Sequence, residues 1–429
     1  MTLSFLWLAA ATGALSLLTP CVFPMIPITV AYFNNRSGQS RSHTLRHAFL
    51  FGAGIVLTFT ALGLGLAILV GAGGIARFAA DPWVNIAIGI VFVAFALSLL
   101  GFYDLPLPLS NRFLNRVDAS ARTQSGRAAG SVLMGFAFTL ASFTCTAPFV
   151  GPLLVSASRG EWQQPLIGMA VFSIVFALPF FVLALMPQWT TAIPRGGAWM
   201  RDIKVVVGLF EIAAALKFFS NADLVWRTNL ISRDTMLLVW AAIAVAAAAW
   251  LARSAIAKSG GSIARWMPAV AAAALTLWLA TGVRGASLGE VEAFLPPDES
   301  MLHAGAAADI KLEWILNDQP QALASAAANR KLVFIDFTGY TCTNCRWMEA
   351  NMFSKPEVRV ALSEFVLSRL FTDGEGEIYE RQQSFQEEKF GTVALPLYAI
   401  VDSTGRTVST FSGLTRNSRE FLAFLRRAS

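Results

Sequence analysis

Thr19-Pro20-Cys21-Val22-Phe23-Pro24-Met25-Ile26-Pro27 stands inside an otherwise apolar N-terminal run. Three prolines flank one cysteine there, and proline removes a helix donor and breaks the hydrogen-bond ladder. Within a bilayer such interruptions survive only where they are buried in protein or line a wet cavity. The stretch therefore places a thiol at a break in a membrane helix. The rest of the chain reads as the partner, frame or outlet of that thiol.

Composition agrees with a membrane setting. Of 429 residues, 55% are hydrophobic and only 14% are charged, with a mean hydropathy of +0.57. These values point to a polytopic membrane protein with room for two or three domains rather than to a soluble enzyme. The net charge of +6 is spread over short arginine-bearing loops, which reads as membrane topology and not as a nucleic-acid footprint. Four cysteines, Cys21, Cys145, Cys342 and Cys345, are too few for a disulfide scaffold, and their even number invites a pairing argument. The N-terminus lacks a basic n-region and its apolar run continues through Cys21 without a small-residue cleavage site. Residues 1–33 are therefore expected to be a retained first span.

Hydropathy predicts eight spans, at about 4–33, 48–72, 83–103, 130–157, 164–186, 202–220, 234–252 and 266–284. Basic residues are concentrated in the loops after the odd-numbered spans. These are Arg36, Arg41 and Arg46, then Arg112, Arg116, Arg122 and Arg127, then Arg195 and Arg201, and finally Arg253, Lys258 and Arg265. The opposite side carries only Arg77, Arg159, Arg227, Arg233 and Arg284. The positive-inside rule then places the odd-numbered loops in the cytoplasm and both termini outside.

A faint repeat runs through this half. Cys21-Val-Phe-Pro24 and Cys145-Thr-Ala-Pro148 share one spacing, and their spans cross the bilayer in opposite directions. Gly89, Ala96, Leu97, Asp104 and Leu105 match Gly208, Ala215, Leu216, Asp223 and Leu224 at one constant offset. Paired broken helices in two halves are the mark of an inverted repeat with its site near the midplane. The expected architecture is a polytopic α-helical domain of two three-helix units plus two further spans.

Past Arg284 the chain changes character. Residues 286–308 are small, acidic and proline-containing, as a linker would be, and from 309 to 429 charge becomes frequent. Lys331–Phe337, Phe365–Phe371, Leu397–Val401 and Thr407–Phe411 read as strands, the last two joined by Asp402-Ser-Thr-Gly405. Residues from Thr341 to about Phe353, 376–390 and 416–428 read as helices. This alternation predicts one small α/β domain.

The strongest motif in that domain is Cys342-Thr-Asn-Cys345, after a buried strand and at the opening of a helix. A thiolate at a helix N-terminus is stabilised by free amides and the dipole, so it becomes a competent nucleophile. The second cysteine can then resolve a mixed disulfide. Asp336, at the strand end, is a candidate acceptor for the resolving thiol's proton. Leu395-Pro396 is a candidate cis-proline edge, and Tyr340 and Trp347 bracket the pair. The competing reading is a structural zinc half-site, but no second CxxC or His pair completes one.

Lone cysteines in spans usually pack as small hydrophobes. Cys21 and Cys145, each three residues before a proline in a broken helix, read instead as a functional pair. Glu211, near the middle of the sixth span, is a candidate for accepting thiol protons or tuning Cys21 or Cys145; the bland alternative is a helix–helix hydrogen bond or ion pair. Lys217 reads as snorkelling, and His43 and His47 as interfacially solvated despite their ligand-like spacing. The sequence carries no P-loop, Gly-rich dinucleotide motif or haem motif, so no cofactor and no metal is expected.

With the TPCVFPMIP and FTCTAP stretches on the page, the membrane half resembles the transmembrane domain of the DsbD family of thiol–disulfide reductases, related to the shorter CcdA proteins. Residues 331–353 with Pro396 resemble a thioredoxin fold. The resemblance implies a transmembrane electron-transfer domain over 1–285, an extracytoplasmic linker over 286–308 and a thioredoxin-like domain over 309–429. It implies a Cys21/Cys145 redox pair fed by cytoplasmic thioredoxin, and a Cys342/Cys345 pair that passes electrons to extracytoplasmic thiol–disulfide proteins. The setting it implies is the bacterial inner membrane. Longer family members carry an N-terminal immunoglobulin-like domain with its own cysteine pair, whereas this sequence starts at the first span. The expectation is therefore that a separate protein, or the soluble domain itself, serves the clients. Two rivals stand beside this reading: a quinone-linked disulfide-forming oxidase, and a transporter of metal ions or small thiols with a redox accessory domain.

Overall fold

The computed structural model describes residues 3–17, 41–102, 132, 133, 135, 136, 138, 139, 142, 163–185, 198–257, 265–297 and 312–427. Cys21, Cys145, Pro20, Pro24, Pro27 and Pro148 lie outside the described residues, as does the side chain of His43. Among the described residues seven apolar helices come first: α1 (Leu3–Ser16), α2 (Arg41–Ala80), α3 (Pro82–Leu99), α4 (Gln163–Leu185), α5 (Ala198–Trp226), α6 (Arg233–Ala257) and α7 (Met267–Val283). Among the described residues, Arg46–Gly65, Pro82–Leu99 and Arg233–Ala257 are long and apolar enough to cross a membrane by length and composition. Phe5–Ser16, Leu166–Val182 and Met267–Val283 are shorter apolar segments. Of the eight expected spans, the fourth lies mostly outside the described residues, and α5, at the place of the sixth, is not among these apolar segments.

Two compact units share the chain, Met1–Ile75 with Val91–Ile212, and Ala76–Ile90 with Ala213–Ser429. In the first, α1, α2 and α4 close around Phe51, Ile55, Phe59, Phe138, Phe172, Phe176 and Phe180. Phe59 meets Phe172 and Phe176 edge-on at 5.6 and 5.3 Å, an arrangement that aromatic quadrupoles favour. Large apolar side chains also point outward, with Trp7 at 71%, Leu57 at 67% and Phe210 at 61% exposure. That pattern suits lipid as the surrounding solvent. Hydroxyls turn back onto their own helices, Thr58 Oγ1 to the Gly54 carbonyl at 2.6 Å and Ser173 Oγ to that of Met169 at 2.7 Å. Such bonds satisfy polar groups where no water is at hand.

The matched glycines of the repeat occupy matched contacts. A Cβ at Gly89 would lie 2.8 Å from the Phe219 ring, and one at Gly208 would lie 3.2 Å from Leu100 Cγ. The offset relating Gly89 to Gly208 also relates Leu100 to Phe219. The two contacts thus involve positions that the same sequence offset pairs.

In the second unit, α6 and α7 pack through Met236, Leu237 and Leu279, and Leu288 and Leu295 join that cluster. These two leucines flank a 3-10 turn, Gly289–Phe294, inside the segment expected to be a linker. Arg233 locks the turn in place. Its guanidinium donates to Glu292 at 2.7 Å and to the carbonyls of Gly282 and Ala286, with both charged side chains buried. Residues 298–311 lie outside the described residues.

The α/β domain is a five-stranded sheet of order β1-β3-β2-β4-β5, with β1 (Trp314–Leu316), β3 (Val366–Phe371) and β2 (Val333–Thr338) parallel. β4 (Leu397–Val401) and β5 (Thr407–Ser412) complete it antiparallel. β2 sits centrally and is buried along its whole length, which explains an apolar run interrupted only by Asp336 before Thr338. Its Phe334 face packs on α9 (Thr343–Trp347), a π-helical turn over Met348–Met352, α10 (Pro356–Leu362) and α12 (Ser418–Arg426). Its other face packs on α8 (Gln319–Asn329) and α11 (Glu377–Phe390). The sequence reading missed β1, α8 and α10: β1 has three residues, α10 has seven, and α8 hides its buried Ala322 and Ala326 in a run of small residues.

Candidate functional site: a helix-capping disulfide over a buried charge network

Cys342 ends the loop from β2 and caps α9. Its sulfur accepts from the Cys345 backbone N–H at 3.2 Å, the capping position that favours a thiolate. The two cysteines form a disulfide with Cα atoms 5.3 Å apart. Cys345 is only 1% exposed, whereas Cys342 is half-buried. The asymmetry leaves Cys342 the more accessible of the two sulfurs.

Asp373, at the end of β3, fixes the approach to the pair. Its buried carboxylate accepts from the N–H groups of Tyr340 at 2.7 Å and Thr341 at 3.0 Å, and from the Thr341 hydroxyl at 3.0 Å. Burial pushes this carboxyl up, and the bonds from Thr341 and Tyr340 work in the opposite direction. A Cβ at Gly339 would stand 2.5 Å from Asp373 Oδ2, so the loop tolerates no side chain there. Tyr340 then stacks on Phe371 at 4.1 Å.

Behind the disulfide lies a fully buried chain of charges. The sheet register sets Asp336 of β2 opposite Arg369 of β3 and Tyr398 of β4. Asp336 accepts from Arg369 Nε at 2.9 Å; Arg369 also lies 3.6 Å from Glu349, which accepts from Arg346 at 2.8 Å. Arg346 follows Cys345 directly, and Glu349 is one helical turn beyond it. Burial pushes the Asp336 carboxyl up to about 6, with Arg369 opposing the rise and Glu349 adding to it. Glu349, Arg346, Arg369 and Asp373 were not singled out from the sequence. Only the i+4 spacing of Glu349 from Cys345 carried a signal there.

In the membrane half, Glu211 on α5 is fully buried, and neither carboxylate oxygen has a hydrogen-bond partner among the described residues. The helix–helix bond or ion pair weighed as its bland explanation is therefore absent among them. Lys217 is half-buried on the same helix, and His47 is buried rather than solvated at the interface. The Leu395–Pro396 peptide is cis. Among the described residues no group of His, Cys, Asp and Glu is arranged to hold a metal ion.

Residues 2–222 match the family described as the cytochrome c biogenesis protein transmembrane domain, and residues 314–403 match a thioredoxin-like family. The chain belongs to the first of these families. Its relatives include the thiol:disulfide interchange protein DsbD of Vibrio vulnificus (strain CMCP6), 28% identical over 397 residues, which cover 91% of this chain and 62% of that protein. The DsbD of Pectobacterium atrosepticum is 28% identical over 435 residues, 99% of this chain and 69% of the relative. The chain spans less than two thirds of the length of the Vibrio proteins it matches. Within the cytochrome c biogenesis transmembrane family it is thus a helical membrane protein that carries a thioredoxin-like domain with a Cys342–Cys345 pair. The site brings Cys342, Cys345 and the Asp336 network into one domain.

Proposed function

We propose that the chain is a transmembrane thiol–disulfide reductase that carries two electrons outward across a bacterial inner membrane. A cytoplasmic dithiol of the thioredoxin class reduces a Cys21–Cys145 disulfide, and that pair reduces Cys342–Cys345. The outer pair then reduces thiol–disulfide proteins outside the cytoplasm, cytochrome c maturation factors among the candidates. In this orientation both termini and the thioredoxin-like domain are extracytoplasmic. The carrying observation is the disulfide itself, with a reachable Cys342 at a helix cap and a buried Cys345 beside an ionic network tuned near neutrality.

Each transfer is a disulfide exchange. A thiolate attacks Cys342 Sγ, the Cys342–Cys345 bond breaks, and Cys345 leaves as a thiolate that takes up a proton. The partner's second thiol then attacks the mixed disulfide, releasing reduced Cys342. Asp336, with its carboxyl near 6, is the proposed proton carrier for Cys345 through the Glu349 network. Glu211, buried without a partner among the described residues, is the proposed carrier for the membrane pair. Pro20, Pro24, Pro27 and Pro148 are the proposed means by which one pair is reached from two sides, since proline interrupts a helix's hydrogen-bond ladder. A drop from about −270 mV at thioredoxin to about −120 mV at a periplasmic oxidant supplies on the order of 7 kcal/mol, enough to drive the relay without ATP or quinone.

The test is to trap thiols with a mass-tagged alkylator in cells with and without thioredoxin reductase. Cys342 and Cys345 should become oxidised when the supply is removed. A pair that stays reduced without it overturns the relay.

A further inference from the structure

Tyr340 and Trp347 flank the dithiol, and each is held by a contact from outside the α/β domain. On the Tyr340 side the contact is Arg227, in the short loop between α5 and α6. Asp223, only 6% exposed, organises that loop by accepting from the N–H groups of Leu230 and Ile231 at 3.0 Å and from the Thr228 hydroxyl. The turn this enforces sends Arg227 and Asn229 into the left-handed region, at φ 56° and 52°. Non-glycine residues stay there only when their surroundings hold them. Arg227 is thus presented on a fixed mount, one residue beyond Trp226, which pairs edge-on with Trp83 at 5.4 Å as interfacial tryptophans do.

From that mount the Arg227 guanidinium donates to the Tyr340 hydroxyl at 2.6 Å and to the Tyr379 hydroxyl, and lies 5.6 and 5.8 Å from the two ring centres. Tyr340 is two residues from Cys342, and Asp373 pins its backbone, so the anchor is rigidly coupled to the disulfide. Next to Tyr379, Glu380 pairs with Arg77 at the end of α2, at 3.1 Å. On the Trp347 side the 3-10 turn does the equivalent. Asn351 donates to the Gly289 carbonyl at 3.1 Å, and Arg416 bridges Glu290 at 2.8 Å while lying 5.5 Å from the Trp347 ring. Nothing in the fold of the α/β domain itself requires a guanidinium on Tyr340.

We propose that Arg227 is a positioning residue for electron entry: it clasps the Tyr340–Tyr379 face and so fixes the loop that carries Cys342 for exchange with the dithiol that reduces it. The inference rests on the relay reading above. Arg227 touches neither sulfur and acts through the loop that carries Cys342.

The experiment uses the full chain in proteoliposomes, with thioredoxin and its reductase supplied to the cytoplasmic face, and follows Cys342–Cys345 by mass-tag alkylation. R227A should slow reduction of the pair about tenfold, the worth of one charge-assisted hydrogen bond. Dithiothreitol added to the outer face should reduce the same disulfide at the wild-type rate. R227K keeps the charge but not the fork and should recover part of the lost rate. Equal thioredoxin-driven rates in wild type and R227A overturn the proposal, as does a parallel fall in the dithiothreitol rate, which would mark general loss of structure. A wild-type pair that stays oxidised under thioredoxin supply overturns the relay itself, a failure visible before any variant is compared.

Discussion

Replacing Asp336 by Asn should make the α/β domain more stable and a poorer relay. In the native domain burial lifts this carboxyl from 3.8 to about 6. At pH 7 the group is ionised in both states, and its charge opposes folding by roughly two pKa units, on the order of 3 kcal/mol. That figure already contains the attraction of Arg369, because the attraction helps set the pKa. The competing expectation is that removing one member of a buried pair costs ~3–5 kcal/mol. It applies in full where the partner is left with nothing. Here Asn retains a side-chain carbonyl for Arg369 Nε, and Glu349 remains 3.6 Å from the guanidinium. Setting ~1 kcal/mol against it for the buried Asn amide N–H groups that gain no partner, the net expectation is a gain of about 2 kcal/mol at pH 7.

The pH dependence has a definite sign. Between pH 3.8 and about 6 the native state holds the Asp336 proton while the unfolded state has released it. Wild-type stability from this group is therefore fully present below 3.8 and falls as pH rises through 6. The advantage of D336N should be full at pH 7.5 and much smaller at pH 4.5. Amide hydrogen exchange of the full chain in nanodiscs measures this directly on β2 and β4. At pH 7.5 those amides should exchange about thirty-fold more slowly in D336N than in wild type, the exchange equivalent of ~2 kcal/mol. Resolution of the Cys342 mixed disulfide should slow in the same protein if Asp336 is the proton carrier proposed for Cys345. Faster exchange in D336N at pH 7.5, or an advantage that persists undiminished at pH 4.5, would refute the reasoning.

Serine at Cys345 should accumulate mixed disulfides through Cys342, seen as higher-mass bands on non-reducing gels; their appearance with C342S instead would reverse the assigned roles. Alanine at Gly339 would drive a methyl into Asp373 Oδ2 and release the Tyr340–Thr341 amides. It should cost ~1–3 kcal/mol, read as lost exchange protection at the end of β2. Glu292→Ala leaves the buried Arg233 guanidinium with two carbonyls and the exposed Asp234 carboxylate at 3.7 Å, a local loss of ~3 kcal/mol. Proteolytic nicking within 286–297 should rise accordingly. Glu211→Gln should leave the protein folded and slow reduction of the membrane pair, and a wild-type rate would remove Glu211 from the proton path.

What could be read from the sequence is what depends on neighbours along the chain. The β2 run announces itself because both faces of the strand are covered, and Cys342-Thr-Asn-Cys345 follows it at the spacing a capped helix needs. The charge network is different. Asp336 was visible as an acid near a dithiol, but its partner Arg369 is set by the parallel register of β2 and β3, and no local pattern encodes register between distant strands. Asp373 likewise reaches Tyr340 and Thr341 across the sheet's end. The acidic stretch after Arg284 was misleading for the same reason. Glu290 and Glu292 look like linker residues until Arg416 and Arg233 arrive from far along the chain. The chemistry of each residue was legible; its partner was not.

The same distinction explains where the function of this domain resides. A dithiol at a helix cap is competent in any thioredoxin-like fold, so the motif alone specifies exchange and not direction. Direction requires that one side of the site receive electrons and another deliver them, and only partner-dependent features break that symmetry. On the relay proposed above they would be the buried Cys345 against the half-exposed Cys342, the acid network on the buried side, and the Arg227 and 3-10 contacts on the two aromatic flanks. A wild-type dithiol attached to the membrane helices but freed of those two contacts should still exchange with small thiols. It should lose its preference for the electrons delivered from within its own chain.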